Sequence, residues 1–599
     1  VTVHLGSKVM EYIKLPDGSY SAPPGITTQL IKNVDSTYSL QERFGTRIDF
    51  DANKKITQLR DVDGNTMTFT YSGDKLTTVT DAFTRAFNFG YTGDNLTTVS
   101  DSTGRMVSYG YDANNNLTTY TDPELKVWGY GYNDPNNSHR MTSLSNPLGV
   151  TTATNTYDSL GRVKEQTVPR QTGSAIYKFY FSGFRNLEED PEGKTTVYYF
   201  DEKGRLIGEE NQLNYKTTKE YDGQNHIVKV TNPRNYFTTF QYDGSHNLTK
   251  ITNALLKDTI NTYDSQFRLI DTTDPLNRGG HFEYDTEHHL TLSKSCSYSG
   301  TTCNPVIAGD GNEIKSSATY YANGLTQTAT DARLTATTLT YDSYGNPNTA
   351  KVGAHPVVTT AYNSIGWLTS LTDQVGTTTN FDTYNNRGQL KLKTDPLLKT
   401  TQLFYDNAGR LDYVIDRNNN RIDYSYTSTD KMYTITYPDT STVRFTYNQH
   451  DSLTGMQDSL GNTTYVYDAA HRLTTQTDAN GFVITYNLYD EAGNLKELIY
   501  PGNKTVTYTY DALNRLKTVT NWLSQTATYN YDDAGRLTSL TSFNGTVTTY
   551  SYDNANRLTA LENKKSDASV IASYSFTLDA NGNRTQTVQN EPLILTLNT

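Results

Sequence analysis

The sequence predicts an all-β protein in which tandem β-hairpins run in series into one continuous, spiralling antiparallel sheet. Three observations predict it. An aromatic-Asp step followed by a turn recurs about every 21 residues, the segments between these steps alternate Tyr with Thr, and helix formers are scarce in the composition.

The composition excludes most alternatives. Hydrophobic residues make up 35% and charged residues 19% of the 599, whereas Tyr alone contributes 47 and Gly 41. Tyr and Thr suit a pleated, half-covered surface, and Asn, Asp and Gly suit turns. An aromatic content of 12% and a net charge of −12 set the chain apart from disordered segments. The acidic balance offers no basic stripe to neutralise phosphates, so no nucleic-acid partner is expected. No apolar run approaches the ~20 residues of a membrane-spanning helix, and the tail from Leu593 to Leu597 is of strand length.

The repeat is clearest near the C-terminus. Tyr510-Asp511-Ala512-Leu513-Asn514-Arg515-Leu516 is followed by Tyr531-Asp532-Asp533-Ala534-Gly535-Arg536-Leu537 and by Tyr552-Asp553-Asn554-Ala555-Asn556-Arg557-Leu558. The same step marks Tyr221-Asp222, Tyr242-Asp243, Tyr263-Asp264 and Tyr405-Asp406, the last continuing to Gly409 and Arg410. About 25 such anchors lie between Phe50 and Leu578. A second turn falls within each period, as in Asp61-Val62-Asp63-Gly64, Asp101 to Gly104 and Asp478 to Gly481, so each period reads strand, turn, strand, turn.

Asp after the aromatic can bond its own backbone two residues on, and Gly or Asn can take a positive φ. Gly161, Gly204, Gly409, Gly493 and Gly535 are expected in that slot. Asn116, Asn225, Asn247, Asn514 and Asn556 are expected in it or next to it. Val506, Tyr508 and Tyr510 fall on one strand face and the neighbouring Thr residues on the other. Leu537 and Leu540 are three apart and break the alternation; a β-bulge and a late strand start both account for this.

The expected domains are a β-rich lead-in over residues 1–46, the hairpin array over 47–590 and a tail over 591–599. Extra residues between Asp134 and Leu148, Val168 and Ser182, and Asn563 and Ala572 read as loops on the strip. So does the largest insertion, near 293–317, with the period there placed from Tyr284 to Tyr321. That insertion holds both cysteines, Cys296 and Cys303, a possible local disulfide rather than part of a framework. About 50 strands make a strip roughly 240 Å long, which must coil because strands twist. Rolled up, it encloses a cavity of roughly 15 Å radius, slightly short of a 100-residue domain. An open or partial hollow shell is the expected shape.

The Tyr-Asp-x-x-Gly-Arg-Leu core followed by a second Asp turn resembles the YD repeat of Rhs proteins, toxin-complex shells and teneurins. The resemblance runs over about 47–590, and the stretch from Leu15 to Asp51 resembles the lead-in of bacterial Rhs arrays. It implies a non-catalytic, exported cocoon that encloses or presents a C-terminal toxin or effector, or engages a secretion-system component. It also implies a secreted or cell-surface location. A surface adhesin that binds glycans or proteins is the alternative.

In that family the array closes with Asp-Pro-x-Gly-Leu, a self-cleavage segment. Here Asp190-Pro191-Glu192-Gly193 is followed by Lys194 in mid-array and reads as a turn, as do the Asp-Pro steps at Asp122, Asp274 and Asp395. Neither cleavage nor toxin activity is assigned to these residues. No catalytic, cofactor or metal site is expected. His281, His288 and His289 beside Asp285 and Glu287 read as solvated loop histidines, and Gly279-Gly280 lacks the context of a phosphate loop. The Asp-rich turns lack the spaced ligands of a calcium loop.

Overall fold

The computed structural model describes residues 1–591. It contains 57 strands, with no helix among the described residues and so none long and apolar enough to cross a membrane. The apolar tail lies outside the described residues. From Gln29–Lys32 to Arg584–Asn590, each strand pairs antiparallel with its predecessor and successor. The exception is the short strand Thr302–Pro305, which folds back on Leu290–Ser299, while the strip continues from Leu290–Ser299 to Lys315–Tyr320. The outer edges of Gln29–Lys32 and Arg584–Asn590 pair with no other strand among the described residues, so the sheet is open. It therefore begins within the lead-in, at Gln29, and no helix or separate lobe interrupts the Tyr-Asp steps.

The bulge accounts for the broken alternation. Asn530 pairs with Ser539 and Tyr531 with Leu537, which leaves Thr538 as the extra residue. Its hydroxyl donates to the Asn530 carbonyl at 3.1 Å. Thr249, Thr474 and Thr559 do the same in their own hairpins, so the Thr after the repeat's Leu serves the bulge.

Two regions differ in how they are packed. In the lead-in, Val3, Met10, Tyr12, Leu30, Leu40 and Ile48 form a buried apolar cluster, with Tyr20, Ile26, Phe50 and Leu59 against it. The hairpin array has almost nothing of the kind. The chain exposes 32,996 Å² of surface, whereas a compact protein of 67.1 kDa exposes about 21,000 Å². The excess is the second face of a single-layered wall.

The wall coils. Contacts between its turns join residues 204 apart at Arg43 and Asn247, 226 at Asp63 and His289, and 258 at Asn65 and Asn323. They then widen to about 275, with 277 at Arg234 and Asp511 and 275 at Arg278 and Asp553, and fall back to 250 at Asp331 and Asn581. The spiral thus opens out from a tight first turn and makes about two coils. A full coil of about 26 strands has a circumference of roughly 125 Å, a diameter of about 40 Å and a lumen roughly 30 Å across.

Candidate functional site in the wall and its seam

The function of a wall resides in what holds it closed, and two kinds of joint do so. The first lies within the strip. Asp532 Oδ1 accepts from the N–H groups of Ala534 (3.0 Å) and Arg536 (2.9 Å), and Oδ2 accepts from Arg536 Nε (2.7 Å). Two backbone bonds, Asp532 N to Arg536 O and Gly535 N to Asp532 O, close the turn. Burial alone would raise the Asp532 pKa, but the Arg536 side-chain and backbone bonds outweigh it and hold it below the usual carboxylate range. The Arg536 guanidinium then reaches the next hairpin: it lies 4.8 Å from the Tyr552 ring centre and donates to Asn556 at 2.7 Å. Tyr552 donates back to the Leu537 carbonyl at 2.9 Å.

The other anchors repeat this chemistry. Tyr221, Tyr263, Tyr405, Tyr510 and Tyr531 donate to the carbonyls of Leu206, Leu248, Leu390, Leu495 and Leu516, and Tyr242 to that of Ile227. The partner four residues after Asp varies. It is an arginine for Asp264, Asp406, Asp511 and Asp553, a histidine for Asp222 and an asparagine for Asp243. Gly409 and Gly535 have φ of 87° and 90°.

Asn116 and Asn247 lie next to the positive-φ slot, which Asn115 and His246 occupy. They replace the arginine, donating to Asp112 and Asp243. The slot also holds Thr84, Leu125, Phe267 and Leu398, because the Asp bonds determine the turn strongly enough to hold an L side chain there. One sequence expectation needs correction: the anchor after the large insertion is Tyr320, not Tyr321; Tyr320 donates to the Leu290 carbonyl, and Tyr321 opens the turn where Asp usually stands.

The second kind of joint is the seam between coils, which joins turns mainly through side chains. The insertions contribute to it. Gln171 accepts from Tyr447 N at 2.9 Å and donates to Phe445 O, and Arg170 donates to Gln449 O at 2.7 Å. The insertion near 293–317 docks on the last hairpins. Gly309 donates to the Leu578 carbonyl, Ala580 donates to Asp310, and Ala308, Ala332 and Ala580 cluster. Within the insertion, Cys296 and Cys303 form a disulfide with Cα atoms 5.1 Å apart. Gly279 pairs with Cys296, and a Cβ on it would strike the Thr272 carbonyl, so this glycine allows close packing.

Charged side chains complete the seam. Lys257 meets Asp533 at 2.8 Å, and Arg387 pairs with Asp122, a carboxylate that is almost wholly buried. His289 stands between Asp285 (2.9 Å) and Asp63 (3.0 Å). Burial alone would lower its pKa, but the bonds to these two carboxylates raise it above the ordinary value. His281 pairs with Asp271 within the strip, and His288 lies edge-on to Phe44. Asp190, in its Asp-Pro turn, uses Oδ1 for the N–H groups of Glu192 and Lys194, both at 2.9 Å, while Oδ2 points across the seam toward His450 and His471. The arrangement holds a curved sheet shut.

The family model of the teneurin YD-shell matches residues 337–541, and that of the RHS repeat matches 92–125, 221–255 and 531–564. No curated protein matches the chain by sequence. Among solved structures, TcdB2-TccC3-Cdc42 superposes with a TM-score of 0.58 at 12% identity, covering 97% of this chain and 41% of the other. TcdB2-TccC3 without its hypervariable C-terminal region gives 0.57 at 13%, covering 97% and 42%. The Tc holotoxin pore of Photorhabdus luminescens, carrying a TccC3 mutation, gives 0.54 at 12%, covering 94% and 34%. At such identities the likeness is one of fold, and the chain spans about two fifths of the length of the first two.

Proposed function

The chain is an RHS/YD-repeat protein with the fold of the Tc toxin shell, and from that premise we propose that it is a section of the wall of a hollow container for an effector polypeptide. The container acts as a scaffold without catalysis of its own. It keeps a C-terminal toxin or effector enclosed until secretion and delivery, outside the producing cell.

The observation that carries this reading is the surface excess. A single layer with two accessible faces, coiled twice and fastened along its seam, encloses space instead of filling it. The glycan-binding alternative draws no support from the anchor tyrosines, whose hydroxyls are bonded to carbonyls of the neighbouring hairpin and whose rings lie against its arginines.

Limited proteolysis of the protein as its gene encodes it tests the proposal. Residues that follow Thr599 are expected to resist protease while the seam is intact, and to be cut when Lys257→Glu and Arg278→Glu open it. Rapid cleavage of those residues in the unaltered protein would refute enclosure.

A further inference from the structure

Along the seam, side chains of one coil generally find charged or hydrogen-bonding partners on the other. A few buried polar atoms, His288 Nδ1 and Asp274 Oδ2 among them, do not, and at one place two such atoms come from facing coils. Asp190 Oδ2 and His450 Nε2 are both buried and have no hydrogen-bond partner. The two side chains are 7% and 8% exposed, so each polar atom is withdrawn from water with nothing to replace it. Such orphaned groups cost free energy and are rare in folded proteins.

Their surroundings suggest what is missing. His450 Nε2 lies 3.9 Å and His471 Nε2 3.7 Å from Asp190 Oδ2, and the three atoms all lie within 4.8 Å of one another. Glu192 Oε1 stands 3.7 Å from His450 Nε2. These separations are too long for hydrogen bonds. They sit about 0.5 Å outside the roughly 3.3 Å edge of a tetrahedron whose metal–ligand bonds are about 2.0–2.1 Å.

The backbone fixes the donors. Asp190 is held by its Oδ1 bonds to Glu192 N and Lys194 N, which leaves Oδ2 free to point outward. In most of the Asp turns the residue four positions on takes that oxygen; here that residue is Lys194, and it makes no bond to Oδ2. His450 N donates to Asn448 Oδ1, and His471 takes the positive-φ slot of the next turn, so one repeat of 21 residues sets the two imidazoles side by side, ring centres 3.8 Å apart.

Other charges nearby leave the site anionic. Arg170 is the cation whose charge acts on His450. Its Nε donates to Gln449 O, and it faces Asp451 at 3.6 Å. Asp190, Glu192 and Asp451 therefore outnumber it, and two imidazoles add neutral nitrogen ligands.

We propose that a divalent transition-metal ion of the zinc class binds here, held by Asp190, His450 and His471 with Glu192 as the fourth ligand, and staples the first coil of the wall to the second. Two imidazole nitrogens with one or two carboxylates suit zinc and disfavour calcium or magnesium. The ion would close a loop of 260–281 residues, and the site exists only when the wall is coiled. The inference rests on the seam and not on what the wall encloses.

Isothermal titration of Zn²⁺ into the untagged, chelator-stripped chain tests it, with melting followed in parallel. One ion per chain is expected to bind, with a rise in Tm that excess chelator reverses. The double substitution His450→Gln and His471→Gln is expected to weaken binding at least ~100-fold and to abolish the Tm response. His281→Gln, placed away from the site, should change neither. Failure of the unaltered chain to bind Zn²⁺ would overturn the proposal, and so would undiminished binding by the double variant. Should that variant fold poorly, Co²⁺ bound to the unaltered chain gives an independent reading. A tetrahedral visible spectrum displaced by Zn²⁺ supports the site, and an octahedral one contradicts it.

Discussion

The lead-in and the hairpin array are parts of one sheet, yet they are held together by different physics. Leu30, Leu40 and Ile48 form a cross-strand row that is almost wholly buried beneath Val3, Met10 and Tyr12, as in an ordinary protein core. Leu516, Tyr531 and Leu537 sit in equally regular strands but remain half-exposed. Their hairpins are secured by Asp-centred turns and by Tyr hydroxyls bonded to the neighbouring hairpin. A sheet can thus forgo a core where each period repeats the same polar joint, and each joint can then be weak because there are many.

Acid should separate the two regions most sharply. Asp264, Asp285 and Asp532 are held below the ordinary carboxylate value: burial alone would raise each, and the hydrogen bonds outweigh it. A depressed carboxylate adds stability that is complete above an unfolded value near pH ~4 and is lost as pH falls through the folded value. Tyrosine near-UV signals from the array are expected to melt earlier below about pH 4, while hydrogen exchange in Gln29–Lys32 and Tyr38–Gln41 stays slow. Loss of both together would show that the lead-in has no independent core.

Leu40→Ala should have the largest single-site effect, about 3 kcal/mol, because it opens a cavity in a packed cluster. Hydrogen exchange is expected to speed up in the lead-in strands and not in Thr526–Tyr531. Asp532→Ala should cost about 2 kcal/mol, confined to its own and adjacent hairpins, and Asp532→Asn roughly half as much because one acceptor oxygen remains. Tyr531→Phe removes one bond to the Leu516 carbonyl and should cost about 1 kcal/mol. Thr538→Val, which loses the bulge hydroxyl, should cost about 0.5 kcal/mol. Melting curves of the five variants rank them, and a Thr538→Val effect as large as that of Asp532→Ala would contradict the assignment of roles.

The array was legible in the sequence because its joints are local. Tyr, Asp, Gly and Arg within seven residues specify the turn, and a 21-residue period specifies the next one. The bulge was half legible, since Leu537 and Leu540 signalled it but only the pairing of Asn530 with Ser539 decides it. The seam was not legible. Its partners are 201 to 281 residues apart at an offset that drifts along the chain, so no period marks them. Gln171 and Asp310 therefore read as loop residues although they join coils. His450 and His471 carried a faint signal in their one-period spacing, but their partner Asp190 lies a full coil away.

The coiling of one strip onto itself is the central claim, and the distance between spin labels at Lys257→Cys and Asp533→Cys, measured by pulsed electron resonance, tests it most directly. In the folded chain these side chains touch at 2.8 Å, so a narrow distribution below roughly 25 Å is expected once label length is allowed for. Some 25 strands separate the two positions along the strip, roughly 120 Å at about 4.8 Å per strand. A broad distribution beyond about 60 Å would mean that the hairpins form an uncoiled ribbon and that there is no seam to close.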